Sequence, residues 1–126
     1  MRNGIFVAAG DINGDGFAEL VADGDPGGGP RVFILDGKSL VQTGTDTLVP
    51  IGNFYAGDVN SRGGICMAVK NLDNDDKADV VTGAGTGAGS LVTAYRGTNI
   101  TPAAGTAPAI LDFDAFTSFG GGVFVG

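Results

Sequence analysis

Nine residues, Asp11-Ile12-Asn13-Gly14-Asp15-Gly16-Phe17-Ala18-Glu19, place oxygen-bearing side chains at positions 1, 3, 5 and 9 of a tight loop, with glycine at position 6. Alternate residues of such a loop can turn their oxygens toward one point, and Gly16 permits the positive φ that the turn requires. This donor set suits a hard cation taking six to eight oxygens, and Ca2+ is the natural candidate. Asp11, Asn13, Asp15 and Glu19 would supply side chains, and Phe17 its backbone carbonyl. Without a cation, three carboxylates this close repel one another. The loop is not an EF-hand, which needs a bidentate Glu at position 12, where this chain has Ala22.

The layout recurs as Asn71-Leu72-Asp73-Asn74-Asp75-Asp76-Lys77-Ala78-Asp79. Here Asn71, Asp73, Asp75 and Asp79 would supply side chains and Lys77 its carbonyl. Asn71 replaces the first carboxylate and Asp76 replaces the glycine, Asp being among the few residues that tolerate the left-handed region. The second loop is therefore expected to bind more weakly or under more strain.

Both loops sit in a longer repeat. A shift of sixty residues aligns Gly4–Gly37 with Gly64–Gly97 without a gap. Identities include Ile5/Ile65, Ala8/Ala68, Asp15/Asp75, Ala18/Ala78, Val21/Val81, Val32/Val92 and Gly37/Gly97. Phe54-Tyr55-Ala56 realigns with Phe113-Asp114-Ala115, and Gly122-Val123-Phe124-Val125-Gly126 restates Gly4-Ile5-Phe6-Val7-Ala8. The chain thus divides into units 1–60 and 61–118, with 119–126 opening a third as an inner strand.

Each unit reads as four strands. Ile5–Ile12 and Ile65–Leu72 are apolar runs bounded by turn signals. Ala18–Ala22 and Ala78–Thr82 come second, entered from the Asp/Gly-rich loops. Arg31–Leu35 and Leu91–Tyr95 come third, after Gly-rich connections. Leu48–Ala56 and Ile110–Phe116 come fourth, with Pro50 pointing to an outer edge, where a missing N–H is tolerated. No window keeps a 3.6-residue period for ten residues, so no helix is expected, and Thr98–Ala109 reads as a surface loop.

Composition agrees with an all-β chain: 24 of the 126 residues are Gly, well above the average share of roughly 7%. With no His and one Cys, Ser-His-Asp and Cys-His catalysis are excluded, as are a disulfide within the chain and a thiolate zinc site. The carboxylates fall largely in the two loops and leave no isolated glycosidase-type pair, so no enzymatic activity is expected. A net charge of -7 disfavours nucleic acid, and no run reaches the 18 apolar residues of a membrane helix. The apolar run Ile5–Ala9 is too short for a signal-peptide core. Asp25-Pro26-Gly27-Gly28-Gly29-Pro30 lacks the Lys and the following helix of a phosphate-binding loop, and reads as a tight turn. Cys66, in an apolar strand, reads as a small buried hydrophobe.

A four-stranded unit in tandem is how a β-propeller blade looks in sequence, and propellers hold roughly 4 to 8 blades. At Gly10-Asp11-Ile12-Asn13-Gly14-Asp15-Gly16, Glu19-Leu20-Val21 and Gly27-Gly28-Gly29-Pro30-Arg31-Val32, the chain resembles the FG-GAP/VCBS-type repeats of the integrin α-subunit propeller and of many bacterial surface and secreted propellers. The resemblance implies two four-stranded antiparallel blades, with the calcium loop joining the innermost strand of each to the next. Glu19 departs from the usual Asp at the ninth position and lengthens that arm. The implied role is a non-enzymatic, calcium-stabilised structural or interaction scaffold, secreted or at the cell surface, with a protein or glycan ligand. A carbohydrate-binding lectin is the alternative, weakened by the absence of Trp. Two blades cannot close a ring, so either self-association or further chain must complete it. Three copies giving six blades are the first expectation.

Overall fold

The computed structural model describes residues 4–24, 29–103 and 105–126. The connection at Asp25, Pro26, Gly27 and Gly28 lies outside the described residues. The chain is mostly β: two sheets, one short helix and, among the described residues, no closed barrel. The first sheet takes the order β1 (Val7–Gly10), β2 (Glu19–Asp23), β3 (Arg31–Leu35), β4 (Pro50–Tyr55), β8 (Gly105–Thr106). The second takes the order β5 (Ile65–Lys70), β6 (Asp79–Ala84), β7 (Leu91–Tyr95), β9 (Leu111–Asp114). Within each sheet the first four strands run antiparallel to their neighbours. All eight strands expected of the two units are present, two with the bounds read from sequence and the others trimmed or shifted at their ends, whereas the inner strand expected over 119–126 does not form.

Alternation along the strands decides which side chains meet. In β2, Glu19, Val21 and Asp23 are buried while Leu20 between them is exposed, the period of a pleated strand. In β3, Val32 and Ile34 are buried in the same sense. Val21, Val32 and Ile34 join Ile12, Phe54 and Ala56 from the first unit and Ile65, Met67, Val80 and Tyr95 from the second in one core cluster. The core therefore lies between the sheets. Each aliphatic side chain it fully buries contributes about 1.5–3 kcal/mol. The Phe54 and Tyr95 rings meet at 4.8 Å between centroids, and the Tyr95 hydroxyl accepts from the Gly57 amide at 2.6 Å. Gly10 lies in close contact with the second sheet: a Cβ there would lie 2.4 Å from Cγ1 of Val69.

Two elements depart from the sequence reading. A helix, α1 (Gly37–Thr43), follows β3 where none was expected. Asp36 starts it by accepting the Ser39 amide at 2.8 Å, an N-cap that satisfies one of the free amides of the first turn. Seven residues are too few to produce the period sought. The segment read as a surface loop holds a 3-10 turn, Gly97–Asn99, and β8, which pairs in parallel with the end of β4. That pairing carries residues of the second unit onto the edge of the first sheet.

The terminal segment forms no strand, yet it is anchored. Val123 donates its amide to the Ala84 carbonyl at 2.8 Å, and Cys66 donates its thiol to the Val123 carbonyl at 2.7 Å. Cys66 is buried and unpaired, as its apolar strand suggested.

Candidate metal centre

The first loop is folded by its own carboxylates. Asp11 accepts three backbone amides: Gly14 (2.7 Å) and Asp15 (3.1 Å) on Oδ1, and Gly16 (2.9 Å) on Oδ2. Asn13 Oδ1 accepts the Asp15 amide at 2.9 Å, and Asp15 Oδ1 accepts the Phe17 amide at 2.9 Å. Such short-range side-chain-to-backbone bonds replace the ladder the strand leaves behind. Gly14 and Gly16 take positive φ of 81° and 88°, as the glycine at position 6 anticipated.

Glu19 enters the loop from the start of β2 and is fully buried. Its Oε2 accepts the amides of Ile12 (2.6 Å) and Asn13 (3.2 Å), while Oε1 is buried with no hydrogen-bond partner. Burial pushes the Glu19 carboxyl above its ordinary value, the amides of Ile12, Asn13 and Gly37 pull it back, and the negative Asp15 adds to the rise. The Gly37 amide thus faces the carboxylate, although no hydrogen bond of ordinary geometry reaches Oε1.

Asp11, Asp15 and Glu19 each bring one carboxylate oxygen to within 4.8 Å of the others. Two oxygens on opposite sides of a single cation bonded at 2.3–2.6 Å are about 5 Å apart, so one ion can bridge all three. Oxygens that already accept an amide keep a second lone pair for a metal. The triad could hold a metal ion, and the donor set selects a hard one. Of the other expected contributors, Asn13 is drawn into hydrogen bonds within the loop and by its Nδ2 to Asp36 at 3.4 Å. Phe17 lies in the loop with its ring 5.8 Å from the Lys38 ammonium.

The second loop is arranged differently. Among the described residues, its carboxylates form no such triad. Asp79 is fully buried and spent on structure: Oδ2 accepts the Leu72 amide at 2.8 Å, and Oδ1 accepts the Gly97 amide at 2.9 Å. Asp73 Oδ2 lies 2.7 Å from Arg96 Nε. Asp73 Oδ1 accepts the Asp75 amide (3.3 Å), Asp75 Oδ1 accepts the Lys77 amide (2.7 Å), and Asn71 Nδ2 donates to the Asp75 carbonyl. The left-handed residue is Asn74, at φ 61°, and not Asp76. The shape that a pair of glycines allows in the first loop is carried here by an Asn in the place of Gly14, leaving position 6 with an ordinary φ.

Two contributors escaped the sequence reading, and they occupy one place in the repeat. Asp36 and Arg96 are sixty residues apart, and each reaches the third position of its own loop. Asp36 accepts from Asn13, whereas Arg96 faces Asp73. The Arg96 contact is a charge contact and not an aligned hydrogen bond, because the guanidinium N–H finds no acceptor along its axis. One loop therefore has a carboxylate beside it and the other a guanidinium. The shift of sixty that aligned the loops was the signal that could have found this exchange.

No protein-family model, curated protein or solved structure matches the chain.

Proposed function

We propose that the chain is a pair of calcium-binding β-propeller blades of FG-GAP/VCBS type, acting as a non-enzymatic scaffold outside the cytoplasm. The observation that carries this reading is the convergence of Asp11, Asp15 and Glu19, each bringing one carboxylate oxygen to within 4.8 Å of the others. Support for the blade geometry comes from two antiparallel four-strand runs, in the same order, stacked face to face. In this reading Ca2+ at the first loop ties the exit of β1 to the entry of β2 and stabilises the fold by binding it. Asp36 adds negative charge beside that loop, while Arg96 supplies a positive charge beside the second. The first loop is thus the stronger site and the second the weaker.

Thermal unfolding in EDTA and in 1 mM Ca2+ tests the reading. A site with a dissociation constant of about 0.1 mM, usual for extracellular modules, stabilises the protein by about 1.4 kcal/mol at that concentration. The melting temperature rises by about 4–8 °C, and less with Mg2+, which demands tighter octahedral geometry. Equal melting temperatures in EDTA and Ca2+ would overturn the assignment.

A further inference from the structure

The contact between the two sheets has a face on each side, and the chain carries both faces a second time. The second sheet presents Ile65, Met67, Val80 and Tyr95 to the first, and all four are buried. Sixty residues earlier the same places hold Ile5, Val7, Leu20 and Leu35. There Ile5 is 54% exposed, Val7 65% and Leu20 38%. In return, the first sheet receives the second with Ile12 and Phe54, exposed by only 1% and 3%. Their counterparts on the second sheet, Leu72 and Phe113, are 48% and 52% exposed. At these positions each open face repeats one half of the internal interface, although Val92 and Ala94, the counterparts of Val32 and Ile34, are already buried.

We propose that copies of this chain associate head to tail. The open face of the second sheet, with Leu72 and Phe113, receives the open face of the first sheet of the next copy, with Ile5, Val7 and Leu20. The proposal rests on the two-blade reading above, with a second copy as the partner. The internal interface supplies the pattern. There the Ala78 amide donates to the Asp11 carbonyl at 2.7 Å, and between copies the Ala18 amide meets the Asn71 carbonyl. An interface joining two unlike faces closes into a ring or runs on as a fibre.

The terminal segment competes for this site. Val123 restates Ile5 and Ile65 in the repeat, and it is hydrogen-bonded to Ala84 and Cys66 on the open face of the second sheet. It thus holds the strip that Ile5–Val7 of the incoming copy needs, and assembly releases it.

Sedimentation velocity over a concentration series tests the proposal with Leu20→Arg and Phe113→Arg. The wild type sediments as a small whole multiple of the chain mass, and each variant alone is a folded monomer by far-UV circular dichroism. A one-to-one mixture gives a dimer, because each variant keeps the face that the other has lost. Val7→Arg replaces Leu20→Arg if the latter fails to fold. Val123→Pro, which deletes the amide bonded to Ala84, strengthens assembly at least tenfold. A monomeric wild type at every concentration, single variants that still assemble, or a mixture that stays monomeric would each overturn head-to-tail docking. Unchanged or weakened assembly in Val123→Pro would overturn the competition. Calcium-dependent melting of the same samples keeps the metal reading separate, since it can fail with assembly intact.

Discussion

Replacing Asp79 by Asn isolates what the ninth-position carboxylate of the second loop does. Asp79 is fully buried and accepts the Leu72 amide at 2.8 Å and the Gly97 amide at 2.9 Å. An Asn side chain has a single oxygen, so one of these amides loses its acceptor and faces an NH2 group instead. A buried donor left unsatisfied costs about 1–3 kcal/mol. The surviving bond also falls from charge-assisted to neutral, about half its former strength. Together the loss is about 2–4 kcal/mol, a large part of the roughly 5–15 kcal/mol that holds a domain folded. Urea unfolding followed by circular dichroism in EDTA, at one protein concentration, reads it directly. With a slope of about 1.5 kcal/mol per molar, the midpoint falls by about 1.3–2.7 M. If Asp79 acted only as a metal ligand, the variant would match the wild type in EDTA and differ only in Ca2+. That result would refute the structural assignment.

Asp36→Ala removes the cap of α1 and lowers stability by about 1 kcal/mol at neutral pH. The Ser39 hydroxyl and amide hold the Asp36 carboxyl below its ordinary value of 3.8. The stability it contributes is therefore full above that value and lost as pH falls through the lowered one. The difference between variant and wild type should shrink below about pH 4 in a pH series of unfolding midpoints, and a constant difference down to pH 2 would sink the argument. Gly97→Ala would place a Cβ 2.3 Å from the Ala78 carbonyl oxygen and 2.9 Å from that of Ile12. Because backbone stands on both sides, the cost should reach the upper end of overpacking, about 3 kcal/mol, and a wild-type midpoint would contradict it. Arg96→Ala frees Asp73, with both partners partly exposed. Calorimetric titration should show the weaker of two calcium sites tightening about fivefold, and an unchanged isotherm would show that Arg96 does not restrain the second loop.

The strands were legible because their residues carry the signal on every position. Arg31–Leu35 and Leu91–Tyr95 are short apolar runs between breakers, and β3 and β7 have those bounds. The first strand came out shorter than its apolar run, with Ile5 and Phe6 left outside it. The helix was not legible by periodicity, yet Asp36 is an N-cap residue type that local reading could have weighed. A two-residue strand such as β8 carries no pattern of its own and exists only because the end of β4 is open to it. In the candidate site, residue type and spacing were enough to bring Asp11, Asp15 and Glu19 together. They could not separate Asp79 from Glu19, because what distinguishes them is how the backbone amides divide between the two carboxylate oxygens, and amides are present at every residue. Nor could either loop alone reveal Asp36 or Arg96, which reach it from the far side of β3 and β7.

The parallel pairing of β8 with β4 bears on how the molecule forms. Phe54 and Tyr55 gain their second neighbour only from Gly105 and Thr106, which follow the first three strands of the second sheet. The repeat boundary is therefore not a seam at which folding can pause. Closing so long a loop costs entropy before any contact repays it, and contacts of this span slow folding. The two sheets should acquire hydrogen-exchange protection together, as one cooperative unit, and the first unit emerging from a ribosome would wait with its outer edge bare until most of the second had followed.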